Sequence, residues 1–249
     1  MKLLIFIFIL LFLTPTLNAK ELRVAVATNF MEAAKEISKA FAKETGHTAY
    51  LSFGSTGQLY TQISQHAPFE VFLAADQARP KKTIKKGLAI QGSRFTYASG
   101  KIVLFSLTQT LINPKGTLKK ENFTKIAIAN PITAPYGIAA VEVMKNLKIY
   151  KYLKSKIVYG NNIAQTYQFV HTENAELGFI ALSQIIKKSS GSHWVVPKEL
   201  YSSIYQDAVL LKSGVNNPAA HEFLEFLKGP EARNIITQYG YGSSSDEKI

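Results

Sequence analysis

Between residues 22 and 181, short apolar runs alternate with amphipathic stretches, and the alternation runs through twice. Residues 22–27 (LRVAVA) form a short strand-like run. Ala34, Ile37, Ala40 and Phe41 then recur at helical spacing over 31–45, and the period stops at Gly46. The pattern predicts a strand at 48–53, a short helix at 57–65, an apolar strand at 71–74, and a helix at 77–86 ending at Gly87. The second pass predicts strand 125–129, helix 137–147, strand 157–159, helix 164–174 and strand 177–181. Apolar strands this short, separated by helices, belong to a parallel, doubly wound sheet covered on both faces.

Each pass is complete by itself, so two α/β lobes are expected rather than one large sheet. Residues 101–106 (KIVLFS) read as a strand that leaves the first lobe, and 208–211 as a strand that returns to it. Lobe 1 is then 20–103 with 208–241, and lobe 2 is 104–207. Two crossing segments make a two-stranded hinge that permits a cleft to close. Helical residues 218–238, broken at Gly229 and Pro230, are expected to pack on lobe 1, and the polar residues 242–249 to form a flexible tail.

The first 19 residues are set apart from the fold. Lys2 precedes an unbroken apolar run of 11 residues at 3–13, and small Ala19 closes the segment. That run suits an export signal and is too short to span a bilayer comfortably. The chain has no cysteine, which excludes disulfides, thiolate metal ligands and a cysteine-linked lipid anchor. An exported chain without such staples needs an ordinary apolar core, which 47% hydrophobic composition allows.

The formal charge is +12, but the lysines fall in scattered pairs (81–82, 85–86, 119–120, 187–188), without a basic helical stripe interleaved with aromatics. Nucleic acid is therefore not the expected partner, although the excess can steer anions. His47, His66, His171, His193 and His221 show no metal-ligand spacing, and no Gly-x-Ser-x-Gly elbow is present. No enzyme activity and no cofactor are expected.

Four places put a predicted strand end and helix start beside small, neutral polar residues: 27–30 (ATNF), 53–57 (FGSTG), 134–137 (APYG) and 160–164 (GNNIA). Helix N-termini carry unpaired N–H groups and suit an anion. None of the four holds Lys, Arg, Asp or Glu. Any one such loop by itself reads as a helix cap rather than a site, but four in matching places of two repeats point to a site. Asp76, before the helix at 77, reads as a cap rather than a ligand.

At these loops the sequence resembles the periplasmic molybdate-binding proteins of ABC importers. The carriers are VAVATNF, SFGSTGQLYTQI, APFEVFLAAD, NPITAPYGIAA, LGFIAL and FLKGPEARNIITQYGY, which together reach from Leu22 to Tyr241. The resemblance implies two lobes of periplasmic-binding-protein type II with an oxyanion held between them without countercharges. It implies that Thr28 and Asn29 donate from side chain or backbone at the first helix start, and Ser55 and Thr56 at the second. Tyr136 and Ile163 would donate their backbone N–H groups. A tyrosine that some members place on the anion corresponds here to Ala181, so that donor is absent. The implied partners are molybdate or tungstate and a membrane permease, with the protein a periplasmic monomer. Another oxyanion such as sulfate or phosphate, a ferric ligand, or a role as an extracytoplasmic sensor stay open on sequence alone.

Overall fold

The computed structural model describes residues 19–112, 116, 118, 123–188 and 191–242. The signal segment falls outside them except for Ala19, as does the tail from 243 on. Gly242, assigned to the tail by sequence, instead bridges Ser99, each N–H donating to the other's carbonyl at 2.9 Å.

Two five-stranded sheets carry the chain. In the first, β1 (Glu21–Ala27) lies parallel between β2 (Thr48–Gly54) and β3 (Val71–Leu73). Beyond β3 the strands β4 (Phe95–Gly100) and β10 (Ile204–Leu210) complete the order β2-β1-β3-β10-β4, with β10 antiparallel to both neighbours. The second sheet contains β5 (Ile102–Ser106), β6 (Ile126–Ala129), β7 (Ile157–Gly160), β8 (Leu177–Ala181) and β9 (Ser192–Val195). Its order is β7-β6-β8-β5-β9, with β6 parallel to β7 and β8, and β5 antiparallel to β8 and β9. The two sheets match place for place, and the fourth strand of each directly follows a crossing of the chain between them.

The predicted parallel sheets are thus mixed, with four strands of each running one way and the fourth in order, β10 or β5, running against them. The predicted boundaries shift as well. Residues 204–207, assigned to lobe 2, pair in the first sheet, and Ile102 and Val103, assigned to lobe 1, pair in the second. The chain crosses once through Lys101 and returns through 196–203.

Helices cover both faces of each sheet. The first sheet is flanked by α1 (Met31–Thr45), α2 (Thr56–Ser64), α3 (Ala78–Lys85), α7 (Pro218–Lys228) and α8 (Pro230–Gln238). The second is flanked by α4 (Pro135–Asn146), α5 (Tyr150–Leu153) and α6 (Ile163–His171). Alternation along β1 sorts its side chains. Leu22, Val24 and Val26 pack with Ile37 and Phe41 of α1, Phe223 of α7 and Ile235 of α8, while Ala25 meets Leu59 and Ile63 of α2. Phe41, fully buried and edge-on to Phe223 at 5.2 Å, is worth about 1.5–3 kcal/mol as a transferred side chain. In the second sheet Ile126 and Ile128 face Val143 of α4, and Ala127 faces Val170 of α6.

Candidate functional site

The pairing registers bring the four polar loops together in twos. Ala27, the last residue of β1, is paired with Gly54, the last of β2, and Ala129 of β6 with Gly160 of β7. Each lobe therefore launches two loops from neighbouring carboxyl ends of parallel strands, where ligands of open α/β sheets sit. The lobes meet over these loops. Gly57 N–H donates to Thr133 O at 2.8 Å, Ser183 Oγ to Asn29 O at 2.8 Å, and Arg79 Nη2 to Ile132 O at 3.1 Å. The second lobe's α6 also lies against the Thr28–Phe30 turn. All six residues singled out by sequence are buried: Thr28, Asn29, Ser55, Thr56, Tyr136 and Ile163.

Their donors divide into those already used and those left over. Thr28 opens a single 3-10 turn, and its hydroxyl has no partner among the described residues. Thr56 Oγ1 accepts from Ala75 N–H at 3.0 Å, which leaves its own hydroxyl hydrogen to donate. In α4, Pro135 at the first position has no N–H, and the amides of Gly137 and Ile138 both reach Ala134 O. Tyr136 N–H is the orphan of that turn. In α6, Asn162 caps Gln165 N–H at 3.0 Å, and Thr166 N–H reaches Asn162 O. Ile163 N–H is left at the helix tip. Thr28, Asn29 and Thr56 likewise have no backbone partner for their N–H groups among the described residues. Seven donors result: the N–H groups of Thr28, Asn29, Thr56, Tyr136 and Ile163, and the hydroxyls of Thr28 and Thr56.

Two of the six have side chains engaged within the protein. Ser55 is the N-cap of α2 in a reciprocal capping box with Gln58. Its N–H and hydroxyl both point to Gln58 Oε1, at 3.1 and 2.9 Å. The Asn29 side chain is turned to the rear of the site, its Nδ2 donating to Gln206 Oε1 at 2.8 Å and to Tyr241 Oη at 3.1 Å. Asn29 therefore offers its backbone N–H rather than its amide.

The surroundings are neutral. Every hydrogen-bonding partner of the six residues is uncharged: Gln58, Ala75, Ser183, Gln184, Gln206 and Tyr241 for the side chains and carbonyls just described. Asp76 caps α3 by accepting from Arg79 N–H at 2.8 Å, and its second oxygen pairs with Arg79 Nη1. The arginine nearest the cleft is thus balanced before it reaches Ile132 on the other lobe. Ala181 is wholly buried, and two residues on Ser183 reaches Asn29 instead.

The sequence reading missed the polar layer behind the loops, made by Tyr97, Gln206 and Tyr241. Tyr241 Oη donates to Asn29 O at 2.6 Å and lies 3.0 Å from Ser183 Oγ. Burial pushes the hydroxyls of Tyr97, Tyr136 and Tyr241 well above the usual tyrosine value, so all three stay neutral in ordinary buffers. The available signal was the polar pair Gln206 and Asp207 inside an otherwise apolar run, both fully buried.

Two matched lobes, two chain crossings and a cleft lined by helix tips define a solute-binding protein. The bacterial extracellular solute-binding protein family matches residues 22–242, and the chain belongs to that family. It is 53% identical over 223 residues to the molybdate-binding protein ModA of Rhodobacter capsulatus, covering 90% of this chain and 88% of that protein. It is 52% identical over 229 residues to the molybdate-binding protein ModA of Azotobacter vinelandii, covering 90% and 91%. The solved structure of a periplasmic molybdate-binding protein from Azotobacter vinelandii superposes with a TM-score of 0.86 at 41% identity, over 89% of this chain and 98% of that one. Like these relatives, the chain is a binding protein and not an enzyme.

Proposed function

We propose that this protein captures molybdate, and tungstate with it, in the cleft and hands it to the permease of an ABC importer from the periplasm, as a monomer. The observation that supports this most is the set of seven uncharged donors at helix tips of both lobes, with no basic side chain among the described residues bonded to any of the residues that carry them. A doubly charged tetrahedral oxyanion has oxygens enough for seven such bonds. Each charge-assisted bond is worth roughly 1.5–3 kcal/mol, which leaves tight capture after the association cost. A cage of fixed donors also has a size and turns away a smaller tetrahedron. Protonated phosphate would need an acceptor, and no carboxylate stands in the four loops. Ser55 joins the cage by rotating its hydroxyl from Gln58 to the anion, since Gln58 Oε1 keeps the Ser55 N–H. The identity of the relatives at 53% and 52% carries the choice of molybdate over other oxyanions.

A thermal-shift panel of the mature protein with molybdate, tungstate, sulfate, phosphate and ferric citrate tests it. Molybdate and tungstate should stabilise the fold by roughly 4 kcal/mol at a thousandfold excess over Kd, and the other three should leave it unmoved. Stabilisation by sulfate, phosphate or ferric citrate alone, or by none of the five, overturns the assignment.

A further inference from the structure

Gln206 sits fully buried on β10, beside a bulge in its pairing with β4. Its Oε1 accepts from Asn29 Nδ2 at 2.8 Å and from Tyr97 Oη at 3.1 Å. Its Nε2 is thereby aimed the other way and donates to Tyr136 Oη at 3.4 Å. Asn29 stands on an anion loop of the first lobe, and Tyr136 opens α4 in the second. One amide thus touches a cage residue of each lobe, and it does so beside the hinge. The space is reserved for this contact. At Gly100, the last residue of β4, a Cβ would fall 2.2 Å from Tyr136 Oη and 2.7 Å from Gln206 Nε2.

We propose that Gln206 is a positioning residue that couples the two halves of the donor cage, holding Asn29 in place and seating Tyr136 when the lobes close. This rests on the oxyanion reading above. The two ends of an amide are not interchangeable: one accepts, the other donates. Asn29 and Tyr97 occupy the accepting end, so closure brings a tyrosine oxygen to the donating end and completes the set. Opening breaks that bond, and a polar group loses its partner. Tyr136 carries both parts of the device, since its ring oxygen meets Gln206 while its backbone N–H belongs to the cage. The contact therefore favours the closed, ligand-holding form and acts on release rather than on encounter.

Molybdate association and dissociation rates of wild type, Tyr136→Phe, Gln206→Leu and the double variant test this, followed by stopped-flow intrinsic fluorescence. Tyr136→Phe keeps the backbone N–H and the ring and removes only the oxygen that faces Gln206. Each single variant should release molybdate about tenfold faster with association changed less than twofold, and the double should be no faster than the worse single, the mark of one shared interaction. Release at the wild-type rate in Tyr136→Phe overturns the coupling, and so do losses that simply add. If Gln206→Leu does not fold, Tyr136→Phe decides alone. Wild-type protein that binds no molybdate removes the oxyanion reading and this assignment together, whereas tight wild-type binding with unaffected variants removes this assignment only.

Discussion

Two threonines of the proposed cage look alike in sequence and differ in what else they do. Thr28 Oγ1 has no partner among the described residues, whereas Thr56 Oγ1 also accepts Ala75 N–H at the end of β3. Thr28→Val should therefore weaken molybdate binding by about 1.5–3 kcal/mol, ten- to hundredfold in Kd, with the ligand-free melting temperature unchanged. Thr56→Val should lose a similar factor in affinity and in addition about 1–3 kcal/mol of ligand-free stability, because the buried Ala75 N–H is orphaned. Calorimetry and melting of both variants separate the two roles, and an unchanged Kd in either variant removes that threonine from the cage. The helix starts themselves were legible at this scale, since Thr, Ser and Asn at strand ends announce them. Which donor of each is left over was not. Asn29 spends its side chain on Gln206, 177 positions away in sequence, and no local pattern carries such a partner.

Among the elements, the strands that seat the loops were legible, and the two at the opposite edges of the sheets, β4 and β9, were not. β1, β2, β3, β6, β7 and β8 are short apolar or alternating runs bounded by polar turns. β4 (FTYASG) and β9 (SHWV) mix sizes and polarities, sit at sheet edges, and owe their extended shape to β10 and β5 beside them. Tertiary pairing decides such strands. The parallel trio of the second sheet is tied at its entrance by Glu176, just before β8. Its carboxylate accepts from Thr124 Oγ1 at 2.6 Å, from Thr124 N–H at 3.1 Å and from Lys125 N–H at 2.9 Å, just before β6. Burial alone would raise this carboxyl, but the three hydrogen bonds outweigh it and bring the pKa down to about 2 from 4.5. A depressed carboxyl stabilises the fold above its unfolded value and loses that contribution as pH falls through the folded one. Ligand-free wild type should then lose stability between about pH 4.5 and 2 relative to Glu176→Gln, and the gap between their melting temperatures should be constant above pH 5. A gap that does not change with acid would show that the carboxylate adds nothing to this tie.

At the scale of the whole molecule, the two lobes touch beside the proposed cage, and the touch has no room to spare. Gly57, the second residue of α2, donates its N–H to Thr133 O, and a Cβ on it would lie 2.9 Å from Thr133 Cα. Since the obstacle is backbone on the opposite lobe, Gly57→Ala should hold the lobes apart without disturbing either one. The expected result is unchanged ligand-free melting, molybdate affinity reduced about tenfold or more, and scattering curves that stay in the open form at saturating molybdate. Wild-type closure in that variant would mean that the loops yield. The two-lobed plan itself was legible because the element order repeats, while the direction of the fourth and fifth strands in each sheet was not, since a single run of apolar residues does not state which neighbour it will join.

The crossing of the chain has an outcome for its birth. β3 and β4 share no bond with each other and are joined only through β10, which is made more than a hundred residues after either. Until residues 204–210 arrive, Val71, Phe72 and Leu73 line a bare margin of half-finished sheet. A nascent chain of this design can finish its second sheet, whose strands all lie between residues 102 and 195, before its first, which is begun earlier and closed later.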